Sequence, residues 1–132
     1  MTLEEAQRVV PALHLIAGAD STACTYLEWP TAPAGVLVMF DQGRVARVDV
    51  DSAGVRTAAG IQVGDAAARV DSAYGDRLTK GPHKYTDGEY FTVTPIRAAD
   101  SLYRVIFEVE AGRVLRYRVG VLPQVAFVEG CS

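Results

Sequence analysis

Gly43-Arg44-Val45-Ala46-Arg47-Val48 follows the apolar run Val36-Leu37-Val38-Met39-Phe40. The same order of letters returns as Gly112-Arg113-Val114-Leu115-Arg116-Tyr117 after Tyr103-Arg104-Val105-Ile106-Phe107-Glu108-Val109. A glycine between two runs of β-branched and aromatic residues marks a tight turn, so each copy reads as two antiparallel strands. Upstream of each copy lies a helical pattern, over residues 2–13 and 65–74. A helix followed by a small meander, used twice, predicts an α+β fold of two related helix-plus-antiparallel-meander repeats, the helices packed on one face of a curved antiparallel sheet. We take residues 1–132 as one domain, with repeat 1 over about 1–54 and repeat 2 over about 55–132.

The first helix has a clear start. The Thr2 hydroxyl can cap free backbone N–H groups, and Glu5 stands three residues later, as a capping box requires. Leu3, Ala6, Val9, Val10 and Leu13 then recur at helical spacing, and Pro11 ends or kinks the helix near Val10. The second helix is expected to be capped by Asp65, to run through Ala66-Ala67-Ala68 and to stop at Gly75. Strands are expected at 24–29, 36–40, 44–50, 77–80, 83–86, 89–94, 102–109, 113–119 and 124–128, with Asp87-Gly88 as the strongest two-residue turn signal.

A chain of 132 residues can bury roughly 65–70% of its unfolded surface, so it needs no metal to fold. Acidic residues (16) outnumber basic ones (13). Only two of the basic residues are lysines, which argues against a nucleic-acid footprint. No run of about 18 apolar residues occurs, so no transmembrane segment is expected. Cys24 and Cys131 have no immediate His or acidic neighbour and hence no catalytic setting. We expect them to form a disulfide that ties the C-terminal end to the first half, contributing about 4–5 kcal/mol in the chain-entropy model. The alternative is two separate buried thiols in a reducing compartment. The disulfide favours a periplasmic or secreted protein whose signal peptide has been removed, and lipid anchoring is left open.

Ile61-Gln62-Val63-Gly64-Asp65, then Ala68-Arg69-Val70 and Tyr74-Gly75, resembles the helix opening of the BamE/SmpA outer-membrane lipoprotein group and of the β-lactamase-inhibitor-protein-like fold. Met1-Thr2-Leu3-Glu4-Glu5 looks like the first-repeat version. The resemblance implies helices packed on an antiparallel sheet, and, in the tandem inhibitor relatives, a concave sheet that grips a partner enzyme. Two departures are plain: this chain has one cysteine in each half instead of a cystine within each repeat, and no lipobox cysteine opens it. No contact residue carries across.

His83-Lys84-Tyr85-Thr86-Asp87-Gly88-Glu89-Tyr90 is the richest polar stretch. Tyr85 and Tyr90 flanking a turn, with His83 and Asp87 beside them, have the composition of a recognition site, and also of a solvated hairpin. Arg44, Arg47, Arg104, Arg113, Arg116 and Arg118 fall mostly on polar strand positions. They form either an arginine and aromatic surface or cross-strand pairs with Glu108, Glu110 and Asp49. Two histidines without ligand spacing predict no metal site. No nucleophile elbow and no phosphate loop occur, so no catalytic residue and no cofactor is assigned.

The expectation is therefore an exported, non-enzymatic module that binds a protein partner, as an enzyme inhibitor or cell-envelope accessory protein, through Tyr85, Tyr90, His83, Asp87, Arg47 and Arg116. A small-molecule binder or hydrolase with a pocket between helix and sheet is the second class, favoured by a deep pocket that collects two or more carboxylates, or His83 with an acid. A structural envelope protein without a discrete ligand is the third.

Overall fold

The computed structural model describes residues 1–131. Seven strands form one antiparallel sheet: β1 (Thr25–Leu27), β2 (Val36–Asp41), β3 (Arg44–Val50), β4 (Leu78–Pro82), β5 (Glu89–Val93), β6 (Tyr103–Glu110) and β7 (Arg113–Val121). Their spatial order is β1-β2-β3-β7-β6-β5-β4. Two short helices, α1 (Leu3–Val9) and α2 (Ala67–Tyr74), and three 3₁₀ turns complete the described chain.

This corrects the expected α+β architecture of two helix-plus-meander repeats. The sheet is single and dominates the fold, and the helices have only seven and eight residues. The physical reason lies at the centre, where β3 and β7 pair with each other, Val48 opposite Val119 and Val50 opposite Tyr117. That pairing fuses the two hairpins into one ladder instead of leaving two meanders, each with its own helix.

What does repeat is the hairpin. Gln42-Gly43 and Ala111-Gly112 all have positive φ, 53° and 78° in the first turn, 51° and 75° in the second. Such turns match the right-handed twist of the strands they join. In both hairpins the register slips just before the turn, between Met39 and Phe40 and between Glu108 and Val109. Ala46 and Leu115 are the residues skipped by the pairing.

On one face, Val50, Val70, Tyr74, Phe91, Phe107 and Tyr117 belong to one apolar cluster, and Ala6, Leu13, Leu27, Val38 and Phe40 to another. Phe107 is fully buried, its ring 5.7 Å from that of Tyr74 and 5.6 Å from that of Tyr117. Burying it contributes about 1.5–3 kcal/mol. Thr2 and Glu5 form the expected capping box, at 3.2 and 3.0 Å. Asp65 is not a cap: Ala66 takes that position, and the Asp65 carboxylate instead accepts the Gln62 N–H at 3.0 Å and Arg69 at 3.3 Å.

Two expected strands are not strands. Residues 83–88 form a loop between β4 and β5, because the His83 ring captures the backbone N–H groups of Tyr85 and Thr86 at 3.0 and 3.2 Å. Local side-chain bonds of this kind compete with a ladder, and Asp87-Gly88 is accordingly no two-residue hairpin. Residues 124–128 contain a 3₁₀ turn, Gln124–Ala126, that crosses the sheet instead of extending it.

Candidate functional site

The second face of the sheet is where charge collects. Because the pairing skips Ala46 and Leu115, Arg47 and Arg116 stand at matching places in their hairpins, opposite Met39 and Glu108. Alternation then puts Asp49, Arg118, Ile106 and Tyr90 on that same face. Residues 122–131 lie over it as a strap, whose 3₁₀ turn touches β3, β6 and β7. The disulfide Cys24–Cys131, with Cα atoms 5.4 Å apart, pins its end as expected.

Under the strap, Arg47 donates to Asp49 at 2.9 Å and to the main-chain oxygens of Gln124 and Phe127 at 2.9 and 2.6 Å. Arg118 donates to the main-chain oxygen of Val125 and to the carboxylate of Glu108, both at 2.6 Å. The second oxygen of Glu108 accepts Nε2–H of His83 at 2.8 Å. The proton is assigned to Nε2 because Nδ1 accepts the two backbone N–H groups. The His83 ring stacks on Tyr90 with centroids 4.6 Å apart.

These surroundings bias the acids in opposite directions. Burial works against ionising Glu108, but hydrogen bonds from His83 and Arg118 and the charges of Arg118 and Arg116 outweigh it and hold the carboxyl below the usual glutamate range. At Asp49 burial wins over the attraction of Arg47 and Arg118, and the carboxyl is pushed above the usual aspartate range. The difference follows from partner number, since two donors reach Glu108 and one reaches Asp49.

The sequence-predicted residues divide into two groups. His83, Tyr90 and Arg47 belong to the shielded network, so Arg47 is a buried structural cation and not part of an open arginine surface. Tyr85, Asp87 and Arg116 are exposed. Tyr85 donates its hydroxyl to Glu129 on the strap at 2.6 Å and carries the Lys84 ammonium 5.1 Å above its ring. Asp87 lies in the 83–88 loop and is not drawn into the network. Glu108 gives its oxygens to His83 and Arg118, so Arg116 makes no ion pair among the described residues.

Sequence reasoning offered Arg118 and Glu108 only among general cross-strand pairs and did not single them out as the hub of this arrangement. The available signal was their placement as polar residues on facing strands around Ala111-Gly112. Asp49 was among the arginine partners read from the strands, whereas Glu129 carried no comparable signal.

Arg116 borders two grooves. One, of about 290 Å³, is lined by His83, Tyr85, Glu108, Glu110 and Leu115 besides Arg116. The other, of about 140 Å³, is lined by Tyr26, Leu37, Asp49, Asp51 and Tyr117. A free guanidinium between two clefts suits planar recognition of a carboxylate or amide. Proton transfer is poorly served, because both nitrogens of His83 are already engaged. Comparison with protein-family models, with curated proteins and with solved structures finds no match to this chain.

Proposed function

We propose that this is an exported, non-enzymatic recognition module that binds a protein partner through the second sheet face, with Arg116 and Tyr85 at the centre of contact. The observation that carries this reading is Arg116, an exposed guanidinium without an ion partner among the described residues, set between two grooves and held on a rigid strand. Arginine and tyrosine are the residue types that dominate binding energy at such surfaces. The shielded pairs beneath it keep the strand in place without consuming it. Export is supported by the Cys24–Cys131 disulfide, a bond that persists in oxidising compartments. Among the described residues no helix is long and apolar enough to cross a membrane.

The test is affinity capture with the oxidised protein and a Tyr85→Ala/Arg116→Ala variant side by side. A partner retained by the parent and weakened by about 2 kcal/mol or more in the variant is expected. Equal retention by both would remove this face from the reading.

One observation favours the second reading, a small-molecule binder or hydrolase. His83, Glu108 and Glu110 line the same 290 Å³ groove. A bait that captures nothing, with a small carboxylate or amide ligand that shifts the Tyr85 resonances, would support that reading instead.

A further inference from the structure

Residues 122–131 leave β7 and occupy the second sheet face without joining any strand ladder. Their contacts are those of a bound peptide. Three consecutive-region carbonyls, of Gln124, Val125 and Phe127, take donors from Arg47 and Arg118. Val125 is fully buried on the face where Met39 and Ile106 are also shielded. Charged donors on main-chain carbonyls and one buried apolar anchor hold the 3₁₀ turn of the strap as they would a bound peptide of the same shape. Three clasps hold the strap: Gln124 to Asp41 at 3.1 Å, Tyr85 to Glu129 at 2.6 Å, and the disulfide at its end. The strap adds no rung to the sheet, since every strand pair lies outside residues 122–131. Arg47 and Arg118 each also have a carboxylate partner outside the strap, Asp49 and Glu108.

We propose that the strap is a ligand bound in cis behind a redox latch: reduction of Cys24–Cys131 releases it and bares a site for a turn-forming peptide whose carbonyls meet Arg47 and Arg118. The reductant is a dithiol. One of its thiolates attacks a sulfur of the Cys24–Cys131 bond and forms a mixed disulfide, while the other cysteine leaves as a thiolate and takes up a proton. The second thiol of the reductant then resolves the mixed disulfide. Two electrons and two protons thus pass to the cysteine pair, and the reductant departs as its own disulfide. Both cysteines are partly exposed and within reach of it. The site adjoins Arg116 and its grooves, since Arg118 lines one of them and Tyr85, which clasps Glu129, lines the other.

Hydrogen exchange on the full chain, oxidised and then reduced with dithiothreitol, reads the latch. The amides of Ala126, Phe127 and Gly130, which donate within the strap, are expected to exchange at least about tenfold faster after reduction, with β6 and β7 amides unchanged. Unchanged strap protection would overturn the proposal, and so would loss of sheet protection together with it. The site is read by mixing the reduced chain in glutathione buffer with a synthetic peptide of residues 122–131 at about 1 mM, comparable to the effective concentration of the tethered strap. Intact mass is expected to show the peptide joined to Cys24 about tenfold more often than a scrambled peptide or one carrying Val125→Asp. A chain dimer linked Cys24 to Cys131 seats a second copy's strap in the same place and counts with the peptide. Equal capture of all three peptides, with no such dimer, would overturn the site.

Discussion

Arg118 and Glu108 meet at 2.6 Å on a sheet face where their side chains are only 4% and 8% exposed. Such a pair is poor evidence of net stability, because two charges lose their water in forming it; breaking it from one side is nevertheless costly. Arg118→Met strands the Glu108 carboxylate and frees the Val125 carbonyl, and is expected to destabilise the fold by about 3–5 kcal/mol. Arg118→Met combined with Glu108→Leu is expected to cost less than the sum of the singles, since the members act together. Urea unfolding of the four proteins checks this, and a single substitution costing under about 1 kcal/mol would contradict the assignment of a shielded pair.

The two acids of the network give pH dependences of opposite sign. Glu108 titrates lower in the folded chain than unfolded, so its contribution is complete above the usual glutamate range and is lost as pH falls below it. Asp49 titrates higher when folded, so the stability tied to its protonated form is complete below the usual aspartate range and is lost as pH rises through the raised value. Measured against the parent between about pH 3 and 7, Glu108→Gln should lose relative stability as pH rises, and Asp49→Asn should gain it. Parallel slopes for the two variants would show that the surroundings of the acids have been misread.

Gly120 stands opposite Arg47 where β3 meets β7, and a Cβ there would run into the Ala46 carbonyl and the Arg47 side chain. Gly120→Ala is expected to push these central strands apart at a cost of about 2–3 kcal/mol. Gly81, in edge strand β4, has open space at its Cβ position and an ordinary φ. Gly81→Ala should therefore be neutral or stabilise by up to about 1 kcal/mol. Thermal unfolding of both variants separates the two cases, and equal shifts would refute the close approach.

Ala111 holds φ at 51° in the β6–β7 turn, a conformation that suits Asn or Gly better than Ala. Ala111→Asn creates an Asn-Gly turn and is expected to raise stability by about 1 kcal/mol. The same gain should not appear at Ser101, an exposed position outside the turns with positive φ. A drop in melting temperature for Ala111→Asn would argue against this turn geometry.

The chain by itself determined its local structure, because the controlling interactions lie within a few residues. Gln42-Gly43 and Ala111-Gly112 dictate two hairpins, Thr2 and Glu5 cap one helix, Gly75 ends the other, and two cysteines pair. Only the tertiary structure decided how the hairpins join and which polar residues are left free. Arg47 and Arg116 occupy matching places in near-identical segments, yet one is 4% exposed beneath carbonyls 77 and 80 residues away while the other meets solvent. Nothing local distinguishes them, since the difference is made by a strap that lies over β3 but stops short of Arg116. For the same reason the pattern at 124–128 reads as a strand. A short alternating run specifies burial of one face, but whether its carbonyls meet a neighbouring strand or two arginines depends on what the rest of the fold brings beside it.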